Sequence, residues 1–206
     1  MASSATRSID VRGWLVGLLL SSGAAAFAAP ATLCRADETS YFSCTIGPAH
    51  KIASLCGHDA EPRYLQYRFG LPGRAPELQV PASTSDPAMG ATFFHEAGRR
   101  ADGKLDSDSV WFRHVDTIYE LEYVVTEDED IGPEFADIVL LRVPSTARPR
   151  GLSCDSAAGA KSLVNAFDLI DAMSPPGRFA QGSPWDALIA EERAAKAAKA
   201  ASAAKR

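Results

Sequence analysis

The 206-residue chain predicts a mainly all-β fold: an antiparallel β-sandwich or partly open β-barrel of about eight strands, with one C-terminal amphipathic helix. Three observations carry that prediction. Apolar residues between Tyr41 and Val143 recur with a period of two, turns rich in Gly and Pro interrupt them at regular intervals, and the period changes to three and four only after Cys154. The composition agrees: 46% hydrophobic and 23% charged residues are too apolar a mixture for a disordered chain.

The elements follow in order. Tyr41–Ile46 and Lys51–Cys56 read as strands flanking the turn Gly47-Pro48-Ala49-His50. Leu65, Tyr67 and Phe69 alternate with Gln66 and Arg68 until Gly70-Leu71-Pro72-Gly73 stops the run. Glu77–Val80 is a short strand closed by Pro81, and Ala91–His95 is the next, after a loop rich in Ser, Asp and Pro. Val110–Val115 and Ile118–Thr126 flank Asp116-Thr117, a hairpin signal, and Tyr119, Leu121, Tyr123 and Val125 share one face of the second strand. Ile138–Val143 is almost wholly apolar, as a central strand is, and Pro144 ends it. Leu163, Ala166, Phe167 and Ile170 then mark a short helix near residues 161–173, stopped by Ser174-Pro175-Pro176-Gly177. It is expected to cap an open face or edge of the sheet.

Both ends read differently from the domain at 29–182. Residues 1–28 have the form of a secretory signal: Arg7 and Arg12 precede the apolar run that opens at Trp14, and Ala26-Phe27-Ala28 satisfies the small-x-small cleavage rule. The run is shorter than the roughly 20 residues a membrane span needs, and no later segment could cross a bilayer. Cleavage before Ala29 removes Arg7, Arg12 and Asp10, two positive charges and one negative, moving the net charge from −5 to −6. An acidic chain of this kind is not expected to bind nucleic acid. Residues 183–206, rich in Ala and Lys, have almost no apolar stripe and read as a solvent-exposed helical or disordered tail.

All four cysteines (Cys34, Cys44, Cys56 and Cys154) lie after the cut, and an even number in an exported chain implies two disulfides. No C-x-x-C pair is present to favour zinc. The pairing depends on the turn at Gly47. A four-residue loop puts Cys44 opposite Ala53 and leaves Cys56 on the other face, because side chains alternate. A loop one residue longer makes Cys44 and Cys56 diagonal neighbours. Cys44–Cys56 with Cys34–Cys154 is the expected arrangement, and it requires the longer loop.

No catalytic residue, metal site or cofactor is expected. His95-Glu96 suggests a zinc-peptidase pair, but Arg99 stands where the second His belongs. There is no G-x-S-x-G, phosphate-cradling loop or dinucleotide fingerprint, and Ser153 precedes a disulfide cysteine. Asp102, Asp106 and Asp108 are expected in one loop, where spaced carboxylates can hold calcium, but the glycine is misplaced and no bidentate Glu follows; a solvated turn is the expected role. The run Glu127-Asp128-Glu129-Asp130 reads as a solvated acidic loop that could meet a cation or basic partner.

Phe42-Ser43-Cys44, Lys51-Ile52-Ala53-Ser54-Leu55-Cys56, Tyr64-Leu65-Gln66-Tyr67-Arg68-Phe69-Gly70 and Glu77-Leu78 together resemble a group of small exported bacterial proteins without assigned activity. The resemblance covers residues 33–80 and implies a Gram-negative periplasmic setting, with no reaction, cofactor or catalytic residue attached. In length, signal and β-rich layout the chain is also loosely similar to periplasmic lysozyme inhibitors. The S-G-x-x-Y loop that membrane-bound and C-type inhibitors insert into the lysozyme cleft has no counterpart here.

The function expected is therefore a non-catalytic secreted or periplasmic binding or inhibitor module whose partner is an envelope or extracellular protein or polymer. Its contact elements would be the loops Pro81–Met89 and Gly98–Ser109 and the acidic loop at Glu127. The alternatives are an envelope assembly component pairing through a β edge, and a hydrolase whose site, with His95 or His114, is assembled from distant residues.

Overall fold

The computed structural model describes residues 31–127, 132–143 and 149–176, together with Ala190 and Ala194. The signal at 1–28, the acidic run beyond Glu127 and, apart from Ala190 and Ala194, the tail at 183–206 lie outside the described residues.

Two antiparallel sheets face each other, each a simple meander. The first has four strands in chain order: β1 (Thr39–Ile46), β2 (Lys51–His58), β3 (Tyr64–Gly70) and β4 (Leu78–Val80). The second has five: β5 (Phe93–Arg99), β6 (Leu105–His114), β7 (Thr117–Thr126), β8 (Glu134–Arg142) and β9 (Arg150–Ser153). An isolated bridge between Ile46 and Cys154 joins them at one corner, and among the described residues the two sheets otherwise remain separate, so no closed barrel forms. The sequence alternation has its usual cause: one face of each sheet is buried against the other. Phe42, Leu55, Leu65 and Tyr67 from the first sheet meet Val110, Phe112, Leu121 and Ile138 from the second in one core. At its centre Phe112 stacks on Tyr119 with ring centroids 4.9 Å apart, and Tyr67 packs at 4.8 Å from Phe112.

Several expected boundaries move. Nine strands form among the described residues; the one not expected is Arg150–Ser153, which pairs with β8 without any apolar alternation to announce it. Strand β6 begins at Leu105, so Asp106 and Asp108 stand on a strand rather than in a loop, and the loop expected at Gly98–Ser109 contracts to the turn between Arg99 and Leu105. The β6–β7 turn sits at Val115-Asp116, one residue earlier than expected, with Val115 at φ 56°. Val125, expected to share the buried face of β7, is exposed. Met89–Thr92 forms a single helical turn, α1, where an extended strand start was expected from Ala91. The C-terminal helix, α2, spans Asn165–Met173 and buries Ala166, Leu169 and Ile170 against the core. It packs on β3 and β5, as a cap on the open side of the sandwich.

Gly57 sets how closely that cap can approach. A Cβ there would stand 2.8 Å from both the Tyr41 ring and the Tyr64 carbonyl, and 3.0 Å from Leu169. Gly57→Ala is expected to cost about 1–3 kcal/mol by overpacking, read as a lower urea midpoint at unchanged slope.

The disulfides connect Cys34 with Cys56 and Cys44 with Cys154, correcting the expected Cys44–Cys56 and Cys34–Cys154. The reason is parity. The Gly47–His50 turn takes the four-residue form, with His50 N–H donating to Gly47 O at 3.0 Å, and the register places Cys44 opposite Ala53. Cys44 then points into the core, and Cys56, on the opposite parity of β2, points out of it. No bond between them is possible across the sheet.

The outer face of the second sheet has its own chemistry. Trp111, Ile118, Leu141 and Val143 form a second apolar cluster there. Ser109, Glu122 and Asp137 make a cross-strand row beside Glu120. Burial, then the like charges of Glu120 and Asp137, push the Glu122 carboxyl up to about 7. A carboxyl raised in the folded state penalises folding as pH rises from its unfolded value toward 7. Glu122→Gln should therefore raise the melting temperature at pH 8 and leave it almost unchanged at pH 4. Equal shifts at both pH values would show that the carboxylate carries no such penalty.

Candidate functional site

The Cys34–Cys56 bond has a consequence for the outer face of the first sheet. It ties the segment 31–38 across β2 and β3, over side chains that the alternation alone would leave in water. The segment is held by polar contacts along its length. Ser43 Oγ donates to Ala31 O at 2.6 Å, and Leu33 N–H donates to Ser54 Oγ at 3.0 Å.

Under this strap lies Arg68, whose side chain is 6% exposed, paired with Glu38, whose side chain is 0% exposed. The pair is bidentate, both nitrogen–oxygen distances being 2.6 Å. The remaining Arg68 N–H groups reach Leu33 O at 3.0 Å and Gln66 Oε1 at 2.8 and 2.9 Å, so all five of its donors are used. Gln66 is fixed in turn by donating from Nε2 to Pro81 O at 2.8 Å. Glu38 also accepts from the Arg35 amide at 2.6 Å and from Tyr64 Oη at 2.9 Å. Burial alone would raise its carboxyl; the hydrogen bonds from Arg68, the Arg35 amide and Tyr64 outweigh that and hold it at about 2.

Beside this network opens a cleft of about 440 Å³. Gln66, Arg68 and Gln79 line it from β3 and β4, Leu33 and Arg35 from the strap, and Arg74, Pro76, Ala82, Ser83 and Thr84 from the loops around β4. Three guanidinium groups and no carboxylate line it, so its potential is positive in an acidic protein. The cations are not equivalent. Arg68 is saturated, and Arg35 commits Nε and Nη2 to Glu38 and Tyr64. Among the described residues, Arg74 makes no side-chain hydrogen bond or ion pair. The arrangement can hold an anion. The lining contains no His, Cys, Asp or Glu to move a proton or attack a bond.

Of the loops expected to make contacts, Pro81–Met89 contributes Ala82, Ser83 and Thr84 to the cleft, whereas the turn between Arg99 and Leu105 does not reach it. His95 and His114 are not brought together. His95 stacks on Phe167 at 4.3 Å and places Nε2 2.9 Å from Asp171 Oδ1, joining β5 to α2, while His114 lies at the far end of β6. Asp102 closes its own turn with Arg100 and the Lys104 amide, and Asp106 pairs with Arg99 at 3.2 Å. Among the described residues, one group has ligand atoms close enough to hold a metal, Cys34, Glu38 and Cys56, and its two sulfurs are bonded to each other.

Sequence reasoning missed the cluster of Glu38, Arg68 and Arg74. The available signal was Cys56 itself: a half-cystine on the outward parity of β2 requires chain above that face. Two disulfides fit an oxidising, non-cytoplasmic environment, and no described helix is long and apolar enough to cross a membrane. Compared with protein-family models, with curated proteins and with solved structures, the chain matches none of them.

Proposed function

We propose that the protein is a non-catalytic binding or inhibitor module, secreted or periplasmic, acting on a polymer or protein of the cell envelope. The observation that carries this reading is the cleft. It is built on a crosslinked strap over a sheet, and it offers hydrogen-bond donors and positive charge, with no His, Cys, Asp or Glu in its lining to activate the Ser83 or Thr84 hydroxyl. Such a surface suits retention of a ligand rather than its conversion. The signal form of residues 1–28 and the paired cysteines support an exported address.

The test is co-sedimentation of the mature, oxidised protein with purified peptidoglycan, alongside a time course of soluble fragments released. The expected result is saturable retention in the pellet with no release above the protein-free control. Release that grows with time and protein concentration would overturn the non-catalytic reading, and failure to pellet would remove this polymer as the ligand.

A further inference from the structure

The geometry points to the Arg74 cleft as a binding site for a carboxylated sugar, with Arg74 as the arm that takes the carboxylate. This inference rests on the binding-module reading above and names the ligand chemistry of that site.

Four features select the class. The first is size: about 440 Å³ lies in the range of small-molecule sites and accommodates one or two sugar rings. The second is charge. Arg68 is neutralised by a bidentate carboxylate that is part of the protein, whereas Arg74 stands on the loop between β3 and β4 with its planar fork uncommitted among the described residues. A carboxylate matches such a fork through two parallel hydrogen bonds. The third is what surrounds it. Gln79 donates from Nε2 to Ala82 O at 2.8 Å and keeps its own amide oxygen as an acceptor; Thr84 adds a hydroxyl that can donate or accept, and Ser83 adds one whose oxygen already accepts from the Ser85 amide at 3.2 Å and lies 2.9 Å from Ser85 Oγ. Hydroxyl groups on a ring need that mixture of donors and acceptors. The fourth is that no aromatic ring lines the cleft, so a nucleobase or aromatic acid would find nothing to stack on. Phosphate is the competing anion. A guanidinium fork also matches two phosphate oxygens, but this cleft adds side chains on a sheet face rather than the converging backbone amides of a phosphate cradle, and the titration below separates the two anions.

The Glu38–Arg68 pair supplies the rigidity. It holds the strap and β3 at a fixed separation, so the walls are in place before a ligand arrives.

The experiment uses the mature, disulfide-intact chain and isothermal titration with galacturonate, glucuronate and N-acetylmuramate, with galactose and inorganic phosphate as comparators. At least one of the three acids is expected to bind at least tenfold more tightly than galactose or phosphate. Arg74→Gln should weaken that binding at least tenfold while leaving the melting temperature unchanged, and Arg74→Lys should restore part of it. Equal binding of the neutral sugar, tighter binding of phosphate, or full affinity in Arg74→Gln would each overturn the assignment. Failure of all three acids, combined with saturable retention on peptidoglycan, would overturn the cleft assignment and leave the binding-module reading standing.

Discussion

Replacing Cys44 and Cys154 together with alanine is expected to cost about 5 kcal/mol, which is as much as the whole stability of many domains this size. The two residues are 110 positions apart in sequence, with Cα atoms 5.2 Å apart. In the chain-entropy picture the penalty for closing a loop grows with its logarithm, so this bond restrains the unfolded chain more than the 22-residue Cys34–Cys56 closure, worth about 3 kcal/mol. It also fastens the corner where the two sheets meet. Asp155 N–H donates to Thr45 O at 2.9 Å, Cys154 N–H donates to Ala136 O at 3.0 Å, and Ile46 bridges to Cys154 beside the bond. Urea unfolding should rank wild type above the Cys34→Ala/Cys56→Ala variant, and that variant above Cys44→Ala/Cys154→Ala. The reverse order would show that strap packing, rather than closure of the long loop, governs the stability of this fold.

Why the sequence misled on these bonds is instructive. Alternation along β1 and β2 is plain in the sequence, and it allows two registers. The choice between them turned on one residue of loop length, and Gly47-Pro48-Ala49-His50 fits either loop until the positive φ of Gly47 and His50 is known. The core was legible wherever two faces differ in polarity, as in Leu65, Tyr67 and Phe69 against Gln66 and Arg68. Period two says which face a side chain occupies and nothing about what lies above it. Alternation places Arg68 on the outer face and leaves its burial undeclared, because residues 31–38 have no periodicity to show that they cross the sheet. The strand expected at Ala91–His95 starts two residues late for another reason: four residues, Met89–Thr92, cannot distinguish a helical turn from a strand when the flanking residues are apolar. Arg74, Ser83 and Thr84 sit on loops, and only the fold of β3 and β4 brings them to one cleft.

Glu38→Gln is expected to cost about 3–5 kcal/mol at pH 7, because it leaves the Arg68 guanidinium buried beneath the strap without a countercharge. The pH dependence separates this from a simple packing defect. The folded carboxyl sits at about 2, below its ordinary value of 4.5. A depressed acid contributes stability that is complete above the unfolded value and is lost as pH falls through the folded one. Wild type should therefore lose about 3 kcal/mol from this group between pH 4.5 and pH 2. Glu38→Gln should lack that part of the acid transition, so the two unfolding curves converge at low pH. A double variant, Glu38→Gln with Arg68→Gln, should cost less than the sum of the single changes, since removing both charges leaves neither one stranded. Parallel pH profiles for wild type and Glu38→Gln would refute the electrostatic account. Additive costs would show that Glu38 and Arg68 act through separate contacts, and the cleft floor would then owe its rigidity to the Cys34–Cys56 bond instead.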